Sequence, residues 1–227
     1  MDFIEGKILA FNKPLTWTSF ALVHRIRAMI CRKLNVKKLK VGHAGTLDPL
    51  ATGVMIICTG KATKRIEEFQ YQTKEYIATL KLGATTPSFD LETEIDTVYP
   101  TEHITIAEIE KILLQFVGNI HQIPPVFSAV KIDGKRAYEY ARNGEEVTMK
   151  SKELLIDEIE LLESNLPIIK IRVVCSKGTY IRALARDIGI ALQSGAHLIA
   201  LERTRIGEYT VDKCLSLEDF EAELSAL

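Results

Sequence analysis

One carboxylate, Asp48, lies in the most basic part of the chain. Between Gly6 and Ile66 there are twelve Lys or Arg residues and no other acid. Asp48 sits in the stretch VGHAGTLDPLATGV, residues 41–54, among small and turn-forming residues, with Pro49 fixing the backbone just beyond it. An Asp in such a turn can simply close it, the commoner use, or it can act as a nucleophile. A nucleophile must be ionised, and surrounding cations favour the ionised form. The isolation of Asp48 among cations weakens the first reading without removing it, and both uses stay open at this point.

Three other residue types add to this chemistry. His43 lies five residues before Asp48 in the same loop, where its ring can stack on or hydrogen-bond a nucleobase, or can fill space in a Gly-rich turn. Tyr76 opens an alternating strand on a face shared with Ala78, Leu80 and Leu82, as a core tyrosine or as a ring facing a substrate. Arg182 falls in the first helical turn after CSKGTY, where the helix dipole disfavours a cation, so an anionic partner is expected for it unless it is a solvated surface residue. Tyr180, two residues earlier, is close enough to share its pocket.

Other chemistries fail on spacing. CTGKATK has the Gly-Lys pair of a phosphate loop but no glycine five residues before Gly60, and Ala62 stands where the hydroxyl ligand belongs. There is no Gly-x-Ser-x-Gly elbow. Histidines 24, 43, 103, 121 and 197 show no metal-ligand spacing, so no metal is expected. Cys31, Cys58, Cys175 and Cys214 form no CxxC pair, which suits free thiols in a reducing cytosol.

The charge is divided along the chain. Residues 1–66 carry twelve cations against three acids, a net +9, and residues 67–227 carry seventeen against twenty-seven, a net −10. A cationic segment on a near-neutral protein points to a polyanion such as nucleic acid, or to solvated surface once folding mixes the two parts. With 47% hydrophobic and 26% charged residues in 227, the composition is that of an ordinary globular protein with ample core. No apolar run reaches the length of a membrane span, and the N-terminus lacks the apolar core of a signal peptide.

The elements that must position these residues follow from periodicity. GKILAFNKP reads as a strand ended by Pro14. TSFALVHRIRAMICRKL reads as a helix capped by Thr18 or Ser19, with Val23, Ile26, Ile30 and Leu34 on its apolar face and Arg25, Arg32 and Lys33 on the other. GVMIICTG is a buried strand and EYIATLKLG an alternating one. TIAEIEKILLQFVG is a capped helix ending at Gly118, IIKIRVVCSKGTYIRALARDIGIALQSG a strand, glycine turn and helix, and SLEDFEAELSAL a short acidic helix. Strands and helices without regular alternation predict an α+β fold.

With these segments in view, GHAGTLDPLATGVMIICTGKATK resembles the catalytic motif of the TruB-type tRNA pseudouridine synthases. NKPLTWTS, KEYIATLKLG, QIPPVFSAVKIDGKRAYEYAR, CSKGTYIRALARDIG and GAHLIALERTRIGEY follow the family's order and span roughly residues 6–215. The resemblance implies isomerisation of uridine to pseudouridine at position 55 in the T-loop of tRNA, without cofactor or metal, by a cytoplasmic enzyme. It makes Asp48 the nucleophile, adding to the uracil ring or attacking the ribose carbon. Tyr76 stacks on the target uracil and Arg182 pairs with Asp48. Tyr180 and Leu201 line the uracil pocket, His43 contacts the flipped-out nucleotides, and Lys64 with the helix 18–34 cations faces phosphates. The architecture implied is a mixed, mostly antiparallel sheet with flanking helices and a catalytic cleft, in one catalytic domain over residues 1–227. Residues of about 70–150 include a thumb-like insertion over the RNA, no C-terminal PUA domain is expected, and the protein is expected to be a monomer.

Two residues depart from the family pattern. Thr16 stands where the family usually has Gly, which bears on a tight turn near the site, and Pro87 stands where an Asp is usual, although Asp90 matches. A synthase acting on another structured RNA shares this chemistry, and an RNA-binding or tRNA-folding chaperone on the same fold is the alternative function from another class. Such a chaperone has no use for a carboxylate facing RNA phosphates, so Asp48, Tyr76, Tyr180 and Arg182 together argue against it.

Overall fold

The apolar run after Gly6 forms β1 (Ile8–Lys13), which stops at Pro14 because proline has no amide hydrogen for a ladder. In the computed structural model, which describes residues 2–226, α1 (Ser19–Leu34) follows. Thr18, not Ser19, caps α1, its hydroxyl accepting from the Ala21 amide at 3.0 Å. Next come β2 (Val41–His43), β3 (Ala51–Thr59), a 3-10 turn over Gly60–Arg65, and α2 (Ile66–Gln70). The chain continues through β4 (Lys74–Leu82), β5 (Ala84–Thr85), β6 (Thr97–Val98), α3 (Ile106–Leu114) and β7 (Gly118–Gln122). It then forms β8 (Lys131–Ile132), β9 (Lys135–Arg136), α4 (Ala137–Arg142), β10 (Lys152–Asn165) and β11 (Ile168–Cys175). Last are α5 (Ile181–Ala191), β12 (Ala196–Ile206), β13 (Tyr209–Thr210) and α6 (Leu217–Ser225).

These elements group into two compact units, one running to Tyr76 and resuming at Leu201, the other spanning Ile77–Ala200. In the first unit β1 pairs antiparallel with β3, from Ile8 opposite Cys58 to Lys13 opposite Gly53. β2 also pairs antiparallel with β3, while Leu201–Arg203 of β12 run parallel to Ala51–Gly53. Because β3 has strands beside it and packing on both faces, it reads as one apolar run rather than an alternation. One face carries Met55 and Ile57 against Leu22, Val23, Ile26 and Ile30 of α1, with Phe3, Phe11 and Phe220 completing that core. Phe11 and Phe220 meet edge to face, with ring centroids 5.2 Å apart. The other face carries Val54, Ile56 and Cys58 against Phe69 and Ile206.

The second unit is built on the antiparallel β10–β11 hairpin, with β7 on the far side of β10. α3 opens with a capping box, Thr105 and Glu108 each holding the other's backbone amide. Its last helical residue is Leu114, earlier than the sequence suggests. Gly118 instead opens β7 at φ +96°, a value that suits a glycine turning the chain into a strand. The fold is α+β with a mixed, mostly antiparallel sheet; β3 with β12 is the parallel exception among the pairings described. Among the described residues no helix is long and apolar enough to cross a membrane.

Candidate active site

Asp48 begins a β-turn. Its carbonyl accepts from the Ala51 amide at 3.0 Å, and Pro49 occupies the second position, where its fixed φ is favoured. The loop before this turn is pinned from α1: the Ser19 hydroxyl both donates to the Leu47 carbonyl and accepts from the Leu47 amide, each at 2.9 Å. Ser19 is buried at the first position of α1, so capping passes to Thr18 and the serine is left to hold the loop.

Two buried cations hold the rest. Arg203, 2% exposed, donates through Nε to the Val54 carbonyl at 2.8 Å and through its terminal nitrogens to Thr46 and Gly45 carbonyls at 3.4 and 3.3 Å. The planar fork of a guanidinium thus spans the loop and the strand that follows it. Gly53 makes this possible: at φ +106°, a β-carbon there would lie 2.2 Å from the Arg203 carbonyl oxygen, so only glycine allows β3 and β12 to approach. Lys13, fully buried, donates to the carbonyls of Trp17 at 2.7 Å, Pro14 at 2.9 Å and Pro49 at 3.4 Å. Burial, with Arg203 nearby, pushes the Lys13 ammonium down to about 8, and the Asp48 carboxylate works against that fall. The residue after the candidate nucleophile is therefore tied to a lysine whose charge Asp48 itself supports.

The structure brings His43 and Leu201 to this loop. His43 Nδ1 accepts from the Gly45 amide at 3.3 Å, and burial lowers its pKa, so the ring is neutral at pH 7 with its proton on Nε2. Leu201 is the register partner of Ala51, three residues after Asp48. Lys64 lies exposed on the 3-10 turn after β3. Tyr76 is buried in β4 on the face shared with Ala78, Leu80 and Leu82, as the alternation predicts.

Tyr180 and Arg182 belong to the second unit. The Gln122 side chain, fully buried, accepts from the Tyr180 amide at 2.9 Å and donates to its carbonyl at 3.2 Å, fixing the residue that starts α5. Arg182, 4% exposed, donates to the carbonyls of Ser88 at 3.2 Å and Phe127 at 3.0 Å. Its Nε lies 3.5 Å from the carboxylate of Asp90, which in turn accepts from the Ser88 hydroxyl at 2.6 Å. A buried carboxylate with these partners offsets the unfavourable helix-dipole position of the arginine. Sequence reasoning assigned no role to Gln122 or Arg203, offered Ser19 only as a helix cap, and noted Asp90 only as a match to the family pattern. Among the described residues no cluster of three or more His, Cys, Asp or Glu is placed to hold a metal.

Thr16 occupies the left-handed region at φ +69°, while its amide donates to the Pro49 carbonyl at 2.8 Å. A β-branched residue there carries strain of roughly 1–2 kcal/mol. Thr16→Gly keeps the amide bond and relieves that strain, against a smaller entropic loss from the freer unfolded chain. Thermal unfolding should show a net gain of about 1 kcal/mol, a rise of about 2–4 °C in Tm; a lower Tm would refute the strain.

The family described as "TruB family pseudouridylate synthase (N terminal domain)" matches residues 32–181, and "tRNA pseudouridylate synthase B C-terminal domain" matches residues 182–226. The chain is 76% identical to the tRNA pseudouridine synthase B of Parabacteroides distasonis over 97% of its own length and 94% of the relative's. It is 52% identical to that of Flavobacterium johnsoniae over 98% of each. Among solved structures it resembles a chain of a Cbf5-Nop10-Gar1 complex, with a TM-score of 0.72 and 29% identity over 97% of this chain. It also resembles a chain of an H/ACA RNP bound to a substrate RNA containing 2'-deoxyuridine, with a TM-score of 0.67 and 27% identity, again over 97% of this chain. It spans about half the length of those two solved chains, 54% of each.

Proposed function

The chain belongs to the TruB family of pseudouridylate synthases, and from that membership we propose that it converts uridine to pseudouridine at position 55 in the T-loop of tRNA, with Asp48 as nucleophile. The isomerisation breaks the bond from ribose C1′ to uracil N1 and makes one from C1′ to C5; N1 gains a proton and C5 loses one to solvent. Atoms balance without a cofactor. The target base is stacked within its loop, so it must be extruded at a cost of a few kcal/mol, which aromatic faces such as Tyr76 and Tyr180 offset in part. Leu201 supplies apolar wall beside the Asp48 turn, and neutral His43 presents a hydrogen-bonding ring to the extruded nucleotides. Arg182 is the guanidinium of the proposed set, and Lys64 contacts phosphate. Residues of about 70–150 include the segment that covers the RNA. The enzyme acts as a monomer in the cytoplasm.

The observation that carries this reading is the clamped Asp48 turn: the one carboxylate of the basic stretch Gly6–Ile66 sits on a backbone loop held by Ser19, Arg203 and Lys13. The test is a tRNA transcript labelled with tritium at uracil C5. Release of tritium to solvent in step with pseudouridine formation at position 55 supports the reading. Bound tRNA with no release would favour the RNA-binding alternative.

A further inference from the structure

An open groove of about 800 Å³ lies on the first unit, lined by residues on either side of the Asp48 loop in sequence, from α1, the segment after it, β2 and the turn that follows β3. Four cations line it, Arg27, Lys37, Lys38 and Lys40, and no acid does. Some other cations of this unit meet carboxylates: Lys61 with Glu5 at 2.7 Å, Arg65 with Glu68 at 2.9 Å, Arg205 with Glu75 at 3.7 Å. None of the four groove cations has a carboxylate partner among the described residues. Arg27 donates to the Val41 carbonyl at 3.2 Å, while its Nε is buried without a hydrogen-bond partner.

The backbone that carries these cations is fixed. Asn35 ends α1 at φ +51°, the Val36 amide donates to the Cys31 carbonyl at 3.0 Å, and Leu39 packs on the core between Lys38 and Lys40. The Lys40 carbonyl accepts from the Gly60 amide at 2.8 Å. On the groove floor, Gly42 lets Ile66 approach, since a β-carbon there would lie 2.8 Å from the Ile66 side chain. β2 then runs directly from Lys40 to His43, roughly 10 Å at the usual strand rise.

We propose that this groove binds the sugar-phosphate backbone of the substrate RNA outside its reacting loop, with Arg27, Lys37, Lys38 and Lys40 each available to a phosphate. The proposal rests on the functional reading above for the identity of the RNA. Phosphate contacts set orientation and register without reading sequence, so the groove presents the strand to His43 and the Asp48 turn whatever its bases are.

The test compares two variants that remove equal charge from the same unit, with the tRNA transcript as probe. Lys37→Ala/Lys38→Ala removes unpaired groove cations; Lys61→Ala/Arg65→Ala removes cations already tied to Glu5 and Glu68. Binding is measured across salt concentrations. The first variant should bind roughly tenfold more weakly than the second at about 0.1 M salt, and its log Kd against log salt slope should fall by about 2. Lys37→Arg/Lys38→Arg should retain both the affinity and the slope, which separates lost charge from a damaged fold. Equal losses in the two alanine variants, or failure of the arginine variant to retain binding, would overturn the proposal. Tritium release by the wild type is scored separately: its absence defeats the functional reading, while the comparison of variants still decides the groove.

Discussion

Asp48→Asn should release no tritium from the labelled transcript above about one part in 10⁴ of the wild-type rate, the scale of loss when a nucleophile is removed, while its Kd for tRNA stays within a factor of a few. Asn keeps the side-chain volume, and the turn itself is made by backbone atoms: the Asp48 carbonyl accepts from Ala51, and Pro49 follows unchanged. What the substitution removes is the negative charge. With it goes the attraction that opposes the fall in the Lys13 pKa, so Lys13 should titrate lower in the variant than the value of about 8 in the parent. That displacement, readable by pH-dependent amine labelling, shows that the turn has survived. Loss of binding in parallel with turnover would make Asp48 a structural residue.

The second large effect is expected at Arg203. Arg203→Met fills much of the same volume but leaves the buried Val54 carbonyl, and the part-buried Gly45 and Thr46 carbonyls, without their donor. The cost is about 3 kcal/mol, equivalent to a fall of roughly 6–12 °C in Tm for a chain of this size. Arg203→Lys should fall between, because a single ammonium cannot reach across three carbonyls as the fork does. Turnover should fall further than stability alone requires, by about 10²-fold in kcat at a temperature where the variant is folded, since a loop displaced by 1 Å no longer aims its carboxylate. An unchanged Tm, or kcat unaffected in the folded variant, would remove Arg203 from the clamp.

The two cations that clamp the loop differ in how far the sequence reveals them. Lys13 was readable: strand alternation places it on the face of Phe11, and both are buried. Its position at the end of β1 turns it toward the Pro49 carbonyl. Arg203 was not readable, because its partners lie about 150 residues earlier and ERTR in the sequence looks like exposed edge. A shorter but still long separation hides the pairing of Asp90, whose partner Arg182 follows more than ninety residues later. Local periodicity gave α1 its apolar face, since Val23, Ile26 and Ile30 are buried as their spacing requires. It left the cap open between two hydroxyl residues, because both satisfy the capping rule and only the position of Leu47 decides between them. In α3 the glycine at 118 marks the start of the next strand, and the helix has already closed at Leu114.

The parallel register of Leu201–Arg203 with Ala51–Gly53 has a consequence for a chain that is still being made. The basic stretch and the Asp48 turn leave the ribosome early, whereas the guanidinium that clamps the turn is added some 150 residues later. Until that strand docks, the nascent chain displays its cations while the Asp48 loop lacks its Arg203 clamp. Under the function proposed above, attraction for RNA arises during synthesis before chemical competence does, and the order of synthesis separates the two.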